Sequence, residues 1–206
     1  MAEKTIQKTV TCLNGPVGSG KTAIPGLIKL LYRVPITVIG VGNLLREAQE
    51  NSKLDKTNSD KMNAGILLDS DFVWPFIQPY LPTDRSFFID GFPRRPEQVP
   101  MILKWCQENN YAMIYVNITQ SYELTKTRLS QHKPKRLARA DSAPEVFDTR
   151  WQQYETLTIP VYEELKRIKD GQKAGFDVPL EIVIFDSNQI INYEKLFNIY
   201  VPGNHL

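Results

Sequence analysis

The chain has 206 residues, of which 42% are hydrophobic, and its 25 Lys and Arg against 23 Asp and Glu give a formal charge of +2. This length and apolar content suit one buried core, so we expect a single domain spanning residues 1–206. A charge this balanced argues against nucleic acid or a membrane surface as the partner. No stretch approaches the roughly 20 apolar residues of a membrane span, and the first residues lack a signal-peptide pattern, so we expect a soluble, cytoplasmic protein.

Five short apolar runs rich in β-formers alternate with segments that favour helices. Strands without polar alternation, separated by helices, are typical of a parallel sheet covered on both faces, so we expect an α/β doubly wound core. The predicted strands are 9–13, 37–41, 87–89, 112–118 and 180–185. Two polar segments, around 50–64 and 131–142, interrupt this pattern and are predicted to be mobile excursions from the sheet.

The first motif along the chain is Gly15-Pro16-Val17-Gly18-Ser19-Gly20-Lys21-Thr22, which fits GxxxxGK[ST] and lies between a predicted strand and a helical stretch. Its glycines let the backbone curl so that successive N–H groups point at phosphate oxygens, and the amino end of the next helix adds positive potential. Lys21 is predicted to neutralise the β- and γ-phosphates of ATP, and Thr22 to ligate Mg²⁺. A glycine-rich turn without a ligand is the alternative. The predicted ATP-binding residues of this loop are Gly15, Gly18, Ser19, Gly20, Lys21 and Thr22.

A P-loop alone does not name a reaction, because GTPases, ATPases and kinases share it. A second motif, residues 87–98, places an aspartate and an arginine directly after the third predicted strand. The carboxyl ends of the strands form the ligand crevice of an open α/β sheet, so Asp90 and Arg94 are predicted to face the P-loop. Asp90 is then placed to hold Mg²⁺ through water. The alternatives are that Asp90 caps a turn and that Arg94 lies along the surface.

Residues 87–98 read Phe-Phe-Ile-Asp-Gly-Phe-Pro-Arg-Arg-Pro-Glu-Gln. Together with the P-loop, this stretch resembles the signature of the nucleoside monophosphate kinases, and within them the adenylate kinases: an apolar triplet, Asp-Gly-Phe-Pro-Arg, three free positions, and Gln or Asn. The resemblance extends to residues 41–46, 64–68 and 128–160 and so covers most of the chain. It implies a P-loop three-layer fold with a five-stranded parallel sheet, a helical monophosphate-binding insertion at about 42–70 and a short lid loop at about 129–142.

The resemblance also implies substrates, a cofactor and site residues. The substrates are ATP and a nucleoside monophosphate, the cofactor is Mg²⁺, and the protein is expected to be a monomer. Lys21, Arg94, Arg139 and Arg150 match the catalytic cations, with Arg139 and Arg150 folding over the transferred phosphate. Arg128 matches the arginine that packs on the donor base and so contributes to ATP binding. The residues that match the monophosphate site are Val41, Gly42, Arg46, Leu68, Gly91, Arg94 and Gln98.

A few of these positions bear on the acceptor. Arg46 and Arg94 match the two arginines that grip the acceptor phosphate with their guanidinium forks. Gln98 stands where adenylate kinases carry Gln, and its amide offers a donor and an acceptor to an adenine edge, which favours AMP. Val41 departs from the pattern, because the family usually has a Thr or Ser hydroxyl close to the base. Asn43 replaces an Asp that helps organise the water shell of the metal, and it is expected to act as a helix N-cap and as a weaker oxygen ligand.

The lid departs from the family as well, because His132 stands where another phosphate-binding Arg is common. The leading hypothesis is the reaction ATP plus AMP giving two ADP, by direct in-line transfer. The first alternative is a kinase for UMP, CMP or a deoxynucleoside monophosphate, which Val41 favours and Gln98 disfavours. The second is a nucleotide-binding regulatory module with weak catalysis, which Asn43 and the substituted lid would allow.

Overall fold

The computed structural model describes residues 8–131, 146–171 and 175–187, with the side chain of Gln131 left out. Its five strands pair in parallel in the order β2-β3-β1-β4-β5, with β1 at the centre. The predicted five-stranded parallel sheet is thus confirmed. The strands are β1 (Lys8–Asn14), β2 (Val38–Gly40), β3 (Phe87–Asp90), β4 (Tyr111–Thr119) and β5 (Leu180–Asp186).

Eight α-helices lie between these strands in the described residues, and three of them follow β2 in succession before β3. The helices are α1 (Ile24–Tyr32), α2 (Val41–Glu50), α3 (Lys56–Asn63), α4 (Ser70–Ile77), α5 (Gln98–Asn109), α6 (Tyr122–Gln131), α7 (Phe147–Gln153) and α8 (Ile159–Lys169). No helix in these ranges has the length and apolar character needed to cross a membrane.

The sheet separates two apolar clusters, which explains why its strands lack polar alternation. On one face, Val10 and Cys12 of β1 belong to the larger cluster, to which α5 and α8 contribute Leu103 and Leu165. The smaller cluster contains Leu13 of β1 with Ile28 of α1 and buried residues of β4 and β5. Helices therefore cover both faces, as a three-layer α/β fold requires.

A π-helical turn, Tyr154–Thr158, joins α7 to α8 without a loop. Pro160 follows it in the first turn of α8. Proline has no N–H to continue an α-helical ladder, and a widened turn just before it accommodates the lost hydrogen bond. The turn is close to the ligand crevice, because the Thr158 hydroxyl donates to the carbonyl of Arg94 at 3.2 Å.

The structure differs from the sequence predictions at one strand boundary and in one polar segment. The second strand was expected to include Val41, but it ends at Gly40, and Val41 is the first residue of α2. The polar segment 50–64 contains a regular helix, α3, whose N-cap Asp55 accepts a hydrogen bond from the backbone N–H of Asn58 at 2.8 Å. A polar sequence forms this helix because its cap satisfies an N–H group of the first turn.

Candidate active site

A cavity of about 270 Å³ opens at the carboxyl ends of β2 and β3, between the P-loop, the first turns of α2 and the segment 65–68. This volume is close to the lower end of the roughly 300–1,000 Å³ typical of small-molecule sites. Most of the residues singled out in the sequence line it. They are Gly18, Lys21, Thr22, Val41, Gly42, Arg46, Leu68, Asp90, Gly91, Arg94, Gln98 and Arg150.

The P-loop leaves β1 and enters a short 3-10 turn, Lys21–Ala23, that leads directly into α1. Gly15 lies against β4 with a φ of 146°, and a Cβ atom there would be 2.7 Å from the carbonyl oxygen of Ile118. Only glycine fits this approach. The Lys21 ammonium donates to the carbonyl of Pro16 at 3.0 Å, so the lysine side chain arches back over the loop where phosphates would lie.

Ser19 and Gly20 shape the rest of this loop. Ser19 is only 2% exposed, and its N–H donates to the Pro16 carbonyl at 3.3 Å. Gly20 has a φ of 87° and is the residue from which the 3-10 turn begins. Since the Ser19 side chain is buried, contact of this residue with a phosphate would have to come through its backbone.

Thr22 and Asp90 meet across the crevice. The Thr22 hydroxyl donates to Oδ2 of Asp90 at 2.7 Å. The register explains why Asp90 lies beside the P-loop. Leu13 and Asp90 are partners in the β1–β3 ladder, and both strands end close to that level. A hydroxyl and a carboxylate are hard oxygen ligands of the kind that Mg²⁺ takes together with water and phosphate oxygens. The donor set therefore fits Mg²⁺, although the described residues contain no group of three His, Cys, Asp or Glu side chains that could hold a metal alone.

Arg94 lies on a loop that is held from three sides. Its N–H donates to Oε1 of Gln98 at 2.7 Å, and its carbonyl accepts from Thr158 at 3.2 Å. The preceding Pro93 carbonyl accepts from Nδ2 of Asn14 at 2.7 Å, and Asn14 is fully buried at the end of β1. Sequence reasoning missed Asn14 and Thr158. A polar residue at the end of an apolar strand was the available signal for Asn14.

Gln98 differs from the prediction that its amide offers both a donor and an acceptor to a base. Oε1 accepts from the N–H groups of both Arg94, at 2.7 Å, and Arg95, at 3.3 Å, and the residue is 3% exposed. A carbonyl oxygen has two lone pairs, so these two bonds use its accepting capacity. The acceptor part of the prediction is wrong, and the NH₂ group is what Gln98 can offer to a base.

Arg46 lies over the first turn of α2. Its Nη2 donates to Oδ1 of Asn43 at 2.7 Å, and a Cβ atom at Gly42 would be 3.3 Å from the same nitrogen. The expectation that Asn43 caps the helix is wrong, because α2 begins two residues earlier and its N-cap is Gly40. Asn43 instead orients an arginine at the mouth of the cavity.

The other two predicted site arginines that the structure describes lie in different places. Arg150, on α7, lines the cavity. Arg128, on α6, donates to Oε1 of Gln120 at 2.8 Å and to the carbonyl of Ser187 at 3.0 Å, so it joins the ends of β4 and β5. Residues 129–131 of the predicted lid form the end of α6, and the predicted Arg139 and His132 lie outside the described residues.

Neither cysteine can serve as a nucleophile for phosphate. Cys12 and Cys106 are both buried free thiols in the larger apolar cluster. Burial raises the pKa of Cys12 well above its usual range, and burial raises the pKa of Cys106 to about 12. Both thiols are therefore protonated at neutral pH, which leaves them as packing groups.

A Walker-type loop, a facing aspartate and arginines around one crevice of a parallel sheet define a P-loop phosphotransferase. Residues 14–147 match the family model of the AAA domain. The chain is 30% identical over 195 residues to the adenylate kinase of Campylobacter jejuni, an alignment that covers 89% of this chain and 96% of that protein. The chain belongs to the adenylate kinase family, and it is a nucleoside monophosphate kinase.

Two further relatives agree with this membership. The adenylate kinase of Buchnera aphidicola is 26% identical over 211 residues, which are 90% of this chain and 94% of that protein. The adenylate kinase of Leptospira biflexa is 30% identical over 157 residues, which are 74% of this chain and 83% of that protein. The similarity therefore runs through most of the chain and is not confined to the P-loop.

Proposed function

We propose that this kinase transfers the γ-phosphate of ATP to AMP and so forms two ADP in a reversible reaction. The observation that carries the proposal is one cavity lined by the P-loop lysine Lys21, by Arg46 of α2 and by Arg94 of the second motif. Cations around one space suit a reaction in which two phosphate groups must approach each other despite their charge.

On the donor side, the P-loop backbone would cradle the ATP phosphates, and the Lys21 ammonium would turn from the Pro16 carbonyl to the β- and γ-oxygens. Arg128 would pack its guanidinium plane on the donor base. Two hydrogen bonds hold that plane, to Gln120 and Ser187, so little side-chain freedom is lost when a base stacks on it. Arg150, with Arg139, would contact the phosphate during transfer.

On the acceptor side, Arg46 and Arg94 would grip the monophosphate and aim one of its oxygens at the γ-phosphorus. The loop contacts of Arg94 fix the backbone that carries this arginine, and the Asn43 contact orients the guanidinium group of Arg46 before the substrate arrives. Such preorganisation lowers the entropy that is lost in positioning the reactants. We assign the base pocket to Val41, Gly42, Leu68, Gly91 and Gln98, all of which line the cavity.

We propose that Thr22 and Asp90 hold Mg²⁺, the threonine directly and the aspartate through water. When bound, Mg²⁺ would neutralise part of the negative charge on the ATP phosphates. The hydrogen bond between the two side chains, 2.7 Å long, keeps both oxygens on the P-loop side of the crevice. In this proposal the protein groups bind and orient the substrates, and no side chain takes up the phosphate covalently.

We further propose the organisation implied by the family resemblance. The segment of about 42–70, which contains α2 and α3, would be the monophosphate-binding insertion, and about 129–142 the short lid. The protein would act as a cytoplasmic monomer, without nucleic acid or membrane as a partner. Closure of the lid would exclude water, which is the competing acceptor of the phosphate.

A pyrimidine monophosphate is the second candidate acceptor, and two observations favour keeping it. The oxygen of Gln98 is already bonded to backbone N–H groups, and Val41 has no hydroxyl. A donor-only Gln98 discriminates less between bases, because adenine and the pyrimidines all present an acceptor on their Watson–Crick edges. The choice of AMP therefore depends more on the shape of the pocket than on hydrogen-bond pattern.

The experiment that tests the proposal follows diphosphate formation from Mg-ATP with AMP, UMP, CMP, GMP and dTMP in turn. We expect AMP to give the highest kcat/KM, and EDTA to abolish turnover. A higher kcat/KM with UMP or CMP would show that a pyrimidine monophosphate, and not AMP, is the acceptor. Binding of ATP without turnover of any monophosphate would favour a regulatory nucleotide-binding module instead.

The substitution Val41→Thr tests the base pocket. Val41 is 4% exposed and lines the cavity, so a hydroxyl there lies beside the bound base. We expect kcat/KM for AMP to rise about two- to tenfold relative to that for UMP, as one added neutral hydrogen bond would give. The ratio of the two values is the measurement, because a general loss of stability lowers both. An unchanged ratio would mean that residue 41 does not contact the base.

A further inference from the structure

One side chain outside the predicted site bridges two parts of the crevice. Gln153, the last residue of α7, accepts a hydrogen bond at Oε1 from the N–H of Leu67 at 2.7 Å. Its Nε2 donates to the carbonyl of Gly65 at 2.9 Å. Both ends of one amide thus bind the backbone of the segment 65–67, as a neighbouring β-strand would. This segment lines the cavity.

The same segment is held from its other side and packed from above. Arg95, on the loop of the second motif, donates from Nη2 to the carbonyl of Leu67 at 2.9 Å. Gly65 has a φ of 73°, and a Cβ atom there would be 2.8 Å from Cγ of Arg150. The glycine thus allows the Arg150 side chain to cross directly over the segment. Segment 65–67 is therefore fixed between α7 and the second-motif loop.

We propose that Gln153 is a positioning residue for the acceptor, which fixes the wall 65–67 of the monophosphate pocket to the helix that carries Arg150. The inference rests on the proposed function, since it takes the cavity as the acceptor pocket. Gln153 acts through the backbone of Gly65 and Leu67 and does not line the main cavity itself.

The contact has a specific kinetic consequence. When the amide is present, the wall that includes Ile66, Leu67 and Leu68 is held in its binding position before the monophosphate arrives. Without it, part of the binding energy of the acceptor is used to order the wall, so the apparent affinity for the acceptor falls. The P-loop makes no hydrogen bond to Gln153 among the described contacts, so ATP binding is expected to be unaffected.

The test compares Gln153→Met with Gln152→Met. Methionine keeps the length and helix propensity of glutamine but cannot make either hydrogen bond. Gln152 is the matched control, because it is an exposed glutamine on the same helix. We expect Gln153→Met to raise KM for AMP by about three- to tenfold, because only part of the free energy of the two lost hydrogen bonds is drawn from acceptor binding, with KM for ATP unchanged. Gln152→Met should leave both constants unchanged.

A second measurement needs no catalysis. Hydrogen exchange of the Leu67 amide, without nucleotide, should be faster in Gln153→Met by about two- to tenfold, and unchanged in Gln152→Met. Equal KM values for AMP in active wild type and Gln153→Met would overturn the inference about Gln153 and leave the proposed function unaffected. A wild-type protein that turns over no monophosphate would overturn the proposed function and, with it, this role of Gln153.

Discussion

Replacing Lys21 with alanine is expected to lower kcat by about two to three orders of magnitude, as the loss of one charged group that stabilises a transition state does. The ammonium group lies above the P-loop, 3.0 Å from the Pro16 carbonyl, so it can reach a phosphate without moving the backbone. In phosphoryl transfer, charge develops on the oxygens around the transferred group, and the Lys21 ammonium is one of the cations proposed to neutralise it. The measurement is steady-state kcat with saturating Mg-ATP and AMP.

Lys29→Ala is the matched control for this prediction. Lys29 is an exposed lysine on α1, the helix that follows the P-loop, so its removal changes the net charge equally. We expect wild-type kcat in this variant. A loss of similar size in both variants would indicate a general electrostatic effect, and near-normal turnover in Lys21→Ala would remove the lysine from the catalytic role proposed for it.

Replacing Arg94 with lysine is expected to lower kcat/KM for AMP by about ten- to a hundredfold, while KM for ATP stays unchanged. A lysine keeps the charge, but it presents one point donor where a guanidinium presents a planar fork to two phosphate oxygens. The backbone contacts of residue 94 with Gln98 and Thr158 do not involve the side chain, so the loop should remain in place. The loss then reports on the fork and not on the fold.

Arg167→Lys serves as the comparison for Arg94→Lys, because Arg167 is exposed on α8 and 3.9 Å from Glu164, outside the cavity. Its kinetic constants should match those of the wild type. If Arg94→Lys raised KM for ATP as much as KM for AMP, Arg94 would serve both substrates, and its assignment to the acceptor phosphate would be wrong.

Local sequence was sufficient to predict the structure wherever residues close together in the chain decide it. The P-loop could be predicted because its glycines, its lysine and its place between a strand and a helix are all encoded within eight residues. The five strands could be predicted because continuous apolar runs are typical of strands buried on both faces, and each run lies in an observed strand apart from residues at its boundary. The meeting of Thr22 with Asp90 follows from the same rule, since parallel strands end at one edge.

Errors arose where a side chain had a choice of partners. Asn43 was expected to cap α2, yet it accepts from Arg46 because the helix begins at Val41. Gln98 was expected to offer its oxygen to a base, yet the backbone turn of residues 94 and 95 takes that oxygen. The residue types suit both roles equally well, and only the path of the backbone selects between them.

The sequence by itself determined the fold class, the phosphate loop and the family to which this kinase belongs, because these depend on short-range patterns and on residues a few positions apart. Only the tertiary structure decided which groups support the site. Asn14 and Pro93 are 79 residues apart, Thr158 and Arg94 are 64 apart, and Gln153 and Leu67 are 86 apart. Such contacts join a side chain to the backbone of a distant segment. Because every residue type has the same backbone carbonyl and nearly every one has the same N–H, the sequence gives no signal that identifies the partner.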